Sequence, residues 1–271
     1  MKNHAIGVFD SGVGGLTAVK ALRALMPNEN IVYFGDTARI PYGSRSKETV
    51  LRYAHEDIAF LRRHPIKMII AACGTVSSVI GMKPPVGDLP FTGVLLPAVQ
   101  AACAATKNNR IGVIGTPATI RSGSYGKAIK TLSPNAFVVG KACPLFVHLV
   151  ENGYTASDNK ITRLAAEEYL LPVKEEGVDT LILGCTHYPV LREVIADIMG
   201  DDVTLISPGE EAAKYANILL LEQNLLSDRT EEGTVDYYVS DSVALFEENA
   251  RHFLHTGMEG KVQLVTPQEL F

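Results

Sequence analysis

The sequence predicts an α/β protein built as two related lobes. Short apolar runs alternate with amphipathic stretches along the chain, the mark of parallel strands covered by helices. Two pairs of segments repeat: Ile-Gly-Val-Phe at 6–9 with Ile-Gly-Val-Ile at 111–114, and Met-Ile-Ile-Ala-Ala-Cys at 68–73 with Leu-Ile-Leu-Gly-Cys at 181–185. Their nearly equal offsets point to a duplicated domain. Pro/Gly-rich breaks at 83–90 and 207–209, with Pro97 one short strand after the first, punctuate the chain. These breaks place one lobe at 1–97 plus 208–271 and the other at 98–207, with the C-terminal stretch packing back on the first lobe.

In order, the first strand is expected at 5–9, an apolar run too short for a helix. A glycine-rich turn at 10–15 leads into a helix whose Leu16, Val19, Leu22 and Met26 share one face, and Pro27-Asn28 ends it. Further buried strands are expected at 31–35, 68–72, 91–95, 111–114, 136–139, 180–183, 203–206 and 237–239, with helical patterns between them.

Composition narrows the function. The 271 residues are 46% hydrophobic and 20% charged, and 25 Lys and Arg face 30 Asp and Glu, a net charge of -5. That balance argues against a protein whose main partner is a nucleic-acid backbone. The start lacks the apolar stretch of a secretory signal. The longest apolar-leaning run, 91–105, is interrupted by Gly93, Pro97 and Gln100 and is too short to span a bilayer. Cys73, Cys103, Cys143 and Cys185 form neither a C-x-x-C motif nor a zinc spacing. Dispersed cysteines without a signal point to reduced thiols and a cytoplasmic place. No metal site is expected; the i, i+3 pair His252 and His255 reads as a solvated helix face, and Arg62-Arg63-His64 as a solvated charge cluster.

Asp-Ser-Gly-Val-Gly-Gly at 10–15 lets the backbone approach a ligand, and a helix N-terminus there suits an anion. It is not a dinucleotide fingerprint: Gly12 and Gly14 fit, but the third glycine position holds Thr17, although Asp36 imitates the ribose-binding acid. Cys103 and Cys143 read as small buried hydrophobes. Cys73 and Cys185 differ, because each ends a strand before a turn, at the edge where open α/β sheets bind ligands. A helix N-terminus there is expected to lower the thiol pKa. Thr75 and Thr186 follow within two positions, and His187 stands where it can exchange a proton with Cys185. A Cys–His hydrolase is therefore a rival at this point. Glu151 reads, on its own, as an ordinary surface acid.

Taken together, Asp-Ser-Gly-Val-Gly-Gly-Leu at 10–16, Pro-Tyr-Gly at 41–43, Ala72-Cys73 with Thr75, Leu-Val-Glu at 149–151 and Gly-Cys-Thr-His-Tyr-Pro at 184–189 resemble the glutamate racemase family of the aspartate/glutamate racemase superfamily. The resemblance implies two pseudo-symmetric lobes with a D/L-glutamate site between them and no cofactor. It implies that Cys73 and Cys185 are the two acid/base groups, aided by Asp10 and His187, with Glu151 near His187. Asp10, Ser11, Tyr42, Gly43, Thr75, Thr186 and His187 would line the substrate, joined by the backbone of Gly74. It implies a role in supplying D-glutamate for peptidoglycan, with a homodimer as a possible assembly and neither a membrane nor a nucleic acid required. Two positions depart: Gly74 stands where the family usually has asparagine, and His148 where proline is frequent. Gly74 is expected to leave a gap, filled by water or a neighbour, that asparagine could occupy.

The chemistry suits these residues. Racemisation removes the α-proton from one face and returns a proton to the other, which two flanking thiols of ordinary pKa about 8.5 can do. Asp10, as an anion, raises the pKa of a nearby thiol and makes better sense as a proton acceptor and orienting group. The motifs hold no Lys or Arg, so the substrate carboxylates must be held by hydroxyls and backbone N–H groups. The alternatives are a racemase for aspartate, which chiral chromatography with both substrates would separate; the hydrolase, which would form a covalent adduct at Cys185 and not need Cys73; and a non-catalytic binding protein, such as a modulator of DNA gyrase, which would bind without α-proton exchange.

Overall fold

The computed structural model describes residues 1–81, 84–254, 258 and 260–266. Among the described residues, ten strands form two sheets. The first contains β1 (Ala5–Asp10), β2 (Ile31–Gly35), β3 (Ile66–Ala71), β4 (Phe91–Gly93), β9 (Val235–Val239) and β10 (Val262–Leu264), in the order β10-β9-β2-β1-β3-β4. The second contains β5 (Arg110–Gly115), β6 (Phe137–Ala142), β7 (Thr180–Leu183) and β8 (Thr204–Ile206), in the order β6-β5-β7-β8. Every strand pairing is parallel. The central strands β1, β2, β3 and β7 are buried along their whole lengths, which explains their largely apolar runs, broken by Lys67 in β3 and Asp10 at the end of β1.

Among the described residues, eleven α-helices cover the sheets: α1 (Leu16–Leu25), α2 (Lys47–Leu61), α3 (Gly74–Ser77), α4 (Leu95–Ala105), α5 (Pro117–Ser122), α6 (Ser124–Leu132), α7 (Leu145–Glu151), α8 (Lys160–Glu175), α9 (Arg192–Met199), α10 (Pro208–Glu222) and α11 (Val243–Leu254). Helix α1 buries Leu16, Ala18, Val19 and Leu22. Helix α10 buries Ala212, Ala213, Ala216 and Leu220 in the same core. Small side chains let the two helices approach closely, so that Gly209 faces the backbone of Ala18. Helix α10 thereby carries the chain from the four-stranded sheet back to the six-stranded one. Side-chain caps start α2, α5 and α8, where Ser46, Thr116 and Asn159 accept the N–H groups of Thr49, Thr119 and both Ile161 and Thr162.

Several expectations change. The run 91–105 is a three-residue strand, a turn and α4, and Pro97 does not break it, since proline is tolerated in a helix's first turn. The expected boundary at 97/98 thus falls inside α4. Strand β6 lies later than expected, and β10, a short edge strand, had no counterpart in the sequence reading. His64 is not a solvated charge: its ring packs 4.8 Å from Tyr238 and 5.1 Å from Phe60. His252 is half-buried beside Gly153, and His255 lies outside the described residues. Asp36, the imitation ribose acid, is buried and accepts hydrogen bonds from Tyr42, Arg39 and Ser240. No described helix is long and apolar enough to cross a membrane.

Candidate active site

The carboxyl ends of the central strands of the two sheets face each other across a cleft of about 260 Å³. Strand β3 ends at Ala71, two residues before Cys73, which stands at the N-cap position of α3; β7 ends just before Gly184 and Cys185. Both sulfur-bearing residues line this one cavity, although each is nearly buried, at 5% and 7% exposure. A larger cavity of about 530 Å³, between α1, α10 and the 188–191 turn, touches neither cysteine. The smaller one is the candidate site, because chemistry rather than volume distinguishes it.

On the Cys73 side, Ser11 lies within reach and the thiol donates to its Oγ at 3.5 Å. Tyr42 and Gly43 form the wall, and Tyr42 is fixed from behind by its hydroxyl, which donates to the buried carboxylates of Asp36 and Asp57. On the Cys185 side, His187 Nδ1 lies 3.9 Å from Cys185 Sγ, and its Nε2 lies 2.9 Å from Glu151 Oε1. Glu151, His187 and Cys185 thus form a line from the end of α7 into the cleft. Edge-on contact with Phe253, 5.2 Å between centroids, packs the imidazole from α11. Thr75, Thr186 and Gly74 complete the expected lining.

Asp10 is the exception. It is fully buried and does not line the cavity. Its Oδ2 accepts the Gly12 N–H at 3.0 Å, and its Oδ1 is buried without a hydrogen-bond partner. It sits behind the wall, whereas the resemblance implied that it lines the substrate.

Electrostatics separate the two thiols. Burial, reinforced by the Asp10 carboxylate, pushes the Cys73 thiol up to about 12. The expected lowering by a helix N-terminus does not occur, because α3 has only four residues and its field is small beside the desolvation cost. Burial also raises Asp10 despite the opposing charge of His187. For His187 burial acts downward, but its hydrogen bonds and charge interactions with Cys185 and Glu151 outweigh it and lift the imidazole to about 10. Cys143 is buried, and its carbonyl accepts the Tyr188 hydroxyl at 2.8 Å; Cys103 is half-buried and outside the cleft.

Several wall residues were not expected from the sequence, among them two polar ones, Thr116 and His148. Thr116, after β5, places its Oγ1 3.0 Å from Thr75 Oγ1 and so bridges the two sides. The internal repeat contained the signal, since aligning residue 6 with 111 sets Ser11 opposite Thr116. His148 also lines the cleft, one turn before Glu151. Among the described residues the wall contains no Lys or Arg.

The expected gap at Gly74 is absent. A Cβ built there falls 2.3 Å from the Gly184 carbonyl oxygen, so the opposite backbone already fills the space. Asparagine is therefore not accommodated at 74 without moving β7.

The sequence model of the Asp/Glu/Hydantoin racemase family matches residues 17–216. The chain belongs to that family. Its membership makes it a racemase, not a Cys–His hydrolase. A glutamate racemase from Geobacter metallireducens is 46% identical over 251 residues, covering 92% of each chain. The crystal structure of a glutamate racemase from Francisella tularensis in complex with D-glutamate superimposes with a TM-score of 0.88 at 39% identity, covering 98% of both chains. One from Bacillus anthracis gives a TM-score of 0.90 at 37% identity, again covering 98% of both. Both relatives of known structure share the two-sheet α/β architecture, and this racemase fold places its candidate site at the junction of the sheets.

Proposed function

We propose that this racemase interconverts L- and D-glutamate with Cys73 and Cys185 as the two acid/base groups. The observation that supports it is the opening of both cysteines, from the ends of two equivalent strands, on a single small cleft. The relatives named for glutamate, one of them holding D-glutamate, favour that substrate over aspartate.

In the proposed cycle one sulfur, as thiolate, takes the α-proton. The other, as thiol, delivers a proton to the opposite face, and the roles exchange with the hand of the substrate. Cys73, held as thiol by burial and Asp10, is the ready donor. When Cys73 must act as base, the substrate ammonium offsets the nearby negative charge, and the unpartnered Asp10 Oδ1 accepts a proton or orients the donor. On the other side His187, supported by Glu151, exchanges a proton with Cys185. The hydroxyls of Ser11, Thr75, Thr116 and Thr186 hold the carboxylates with nearby backbone N–H groups, and spread stabilisation of the α-carbanion over many modest donors. The lobes that meet at the cleft are 1–94 with 208–271, and 95–207, the expected 97/98 boundary being moved to the start of α4, whose buried residues pack with the four-stranded sheet. A cytoplasmic supply of D-glutamate to peptidoglycan is the matching role.

The test is incubation of purified protein with each enantiomer of glutamate and of aspartate in deuterated water, without added cofactor, followed by chiral chromatography and mass spectrometry. Interconversion of glutamate with solvent deuterium at the α-carbon is the expected result. Faster turnover of aspartate, or binding of glutamate without exchange, would overturn the proposal.

A further inference from the structure

The wall of the candidate active site holds no Lys or Arg among the described residues, yet cations stand just outside it. A second cavity, of about 360 Å³, is lined by Arg45, Lys47 and Arg121, with Ser46, Ser78 and Ser122 between them. It adjoins the cleft at three places. Thr75 lines both cavities, Ser44 lines the cleft where Arg45 lines the outer cavity, and Pro117 lines the cleft where Ala118 lines the outer one. Arg45 and Lys47 flank the start of α2, beside the six-stranded sheet; Arg121 lies in α5, after β5 of the four-stranded sheet. The outer cavity therefore spans both sides of the rim.

The protein itself does not use these charges. Elsewhere Arg23, Arg39, Arg110 and Arg163 each pair with an acid. Among the described residues the side chains of Arg45, Lys47 and Arg121 enter no ion pair or hydrogen bond, no Asp or Glu lines the cavity, and the neighbouring Glu48 lies outside it. In a chain of net charge -5, three like charges around one hollow repel one another, and a bound anion relieves that repulsion. The hydroxyls are already committed: Ser78 and Ser122 donate to the carbonyls of Thr75 and Thr119, both at 2.7 Å. The start of α2 adds donors, because Ser46 caps the Thr49 N–H and leaves those of Lys47 and Glu48 unpaired within the helix.

We propose that this cavity is an outer anion site, which captures the dicarboxylate substrate at the rim before it passes to the hydroxyl-lined cleft. Two carboxylates on a short chain can engage cations from both sides of the rim. The three side chains are exposed, so each contact is weak and screened by salt, which suits hand-off rather than retention. A cationic rim also raises the local concentration of anions at the entrance. That the captured anion is the substrate rests on the function proposed above; the anion site rests on the cavity and its charges alone.

The first arm of the test is phenylglyoxal modification of substrate-free protein, read by peptide mass spectrometry, with the exposed Arg251 as control. Glutarate, a dicarboxylate with no α-ammonium, should slow modification of Arg45 and Arg121 several-fold and leave Arg251 unchanged. Sodium chloride at the same ionic strength should not discriminate among the three, and Lys47→Gln should weaken the protection by glutarate. The second arm is kinetics with glutamate. Arg45→Gln and Arg121→Gln should each raise KM several-fold at low ionic strength, with a smaller effect on kcat, and Arg121→Lys should retain the parent's KM. Sodium chloride at about 0.5 M, where screening acts within a few ångströms, should raise the parent's KM towards that of the double variant, whose own KM should barely respond. Protection by glutarate no greater than that by chloride would overturn the anion site. Protection without any change of KM or salt response in the variants would overturn substrate capture. A parent that leaves glutamate unchanged would sink the function proposed above, while the protection arm still judges the anion site.

Discussion

At the scale of single residues, the two thiols face one cavity but live in different fields. Cys73 is held as thiol by burial and Asp10, whereas Cys185 borders an imidazole braced by Glu151. A serine hydroxyl keeps the geometry and is a poor base, so Cys73→Ser and Cys185→Ser should each abolish racemisation. With an analogue that loses a leaving group after deprotonation, only one base is needed. Each variant should then process mainly one enantiomer, with opposite preferences. Loss of both enantiomers in one variant and neither in the other would leave a single essential cysteine. His187 gives a second prediction. Its folded pKa of about 10 exceeds the ordinary value of about 6.5, so its protonation favours the native state. That contribution is fully present below about pH 6.5 and is lost as pH rises through about 10. Denaturant unfolding should show the parent's stability margin over His187→Gln shrinking across that window. A margin constant with pH would contradict the assignment.

At the scale of elements, the six-stranded sheet is tied underneath by one buried cation. Lys67, in β3, has a fully buried side chain; its Nζ lies 2.5 Å from Glu29 Oε2 and donates to the carbonyls of Lys2 and Leu225 at 2.5 and 2.8 Å. Glu29 Oε1 in turn accepts the Ser227 N–H at 2.7 Å. The pair joins β3 to the segment after α10, on the face away from the cleft. Lys67→Met strands a buried carboxylate and should cost about 3–5 kcal/mol. Adding Glu29→Gln, which keeps an acceptor for Ser227, should recover much of that. Chemical denaturation of both variants is the check, and equal losses in the single and double variants would show that the ion pair is not the tie. The elements themselves were legible where burial is two-sided. Strands β1, β2 and β7 announce themselves because their residues, apart from Asp10 at the end of β1, are apolar, aromatic or small. Strand β10 did not, because an edge strand of three residues with Leu264 half exposed presents no run to recognise. Strand β6 slipped because Gly140 and Lys141, on an edge, interrupt its pattern.

At the scale of the whole molecule, the site was legible as two repeated strand ends, and much less so as a set of cross-cleft contacts. Ser11, Cys73, Thr75, Cys185 and Thr186 occupy positions that local pattern marks as ligand-facing. Glu151 is not so marked: its partner His187 is remote in sequence, and only the docking of α7 against the 188–191 turn brings them to 2.9 Å. Gly74 misled for the same reason. A missing side chain reads as empty space until the opposing backbone is known. The order of strands has one more consequence, which concerns synthesis. Strand β2 is fully buried, yet one of its two neighbours, β9, comes from residues 235–239, after the whole four-stranded sheet has been made. While the chain emerges from the ribosome, the β5–β8 sheet can close on itself, but β2 must wait with an apolar edge of unpaired amides. Such an edge is a template for aggregation. The nascent half-finished sheet is therefore a stage at which this protein is open to edge-to-edge association.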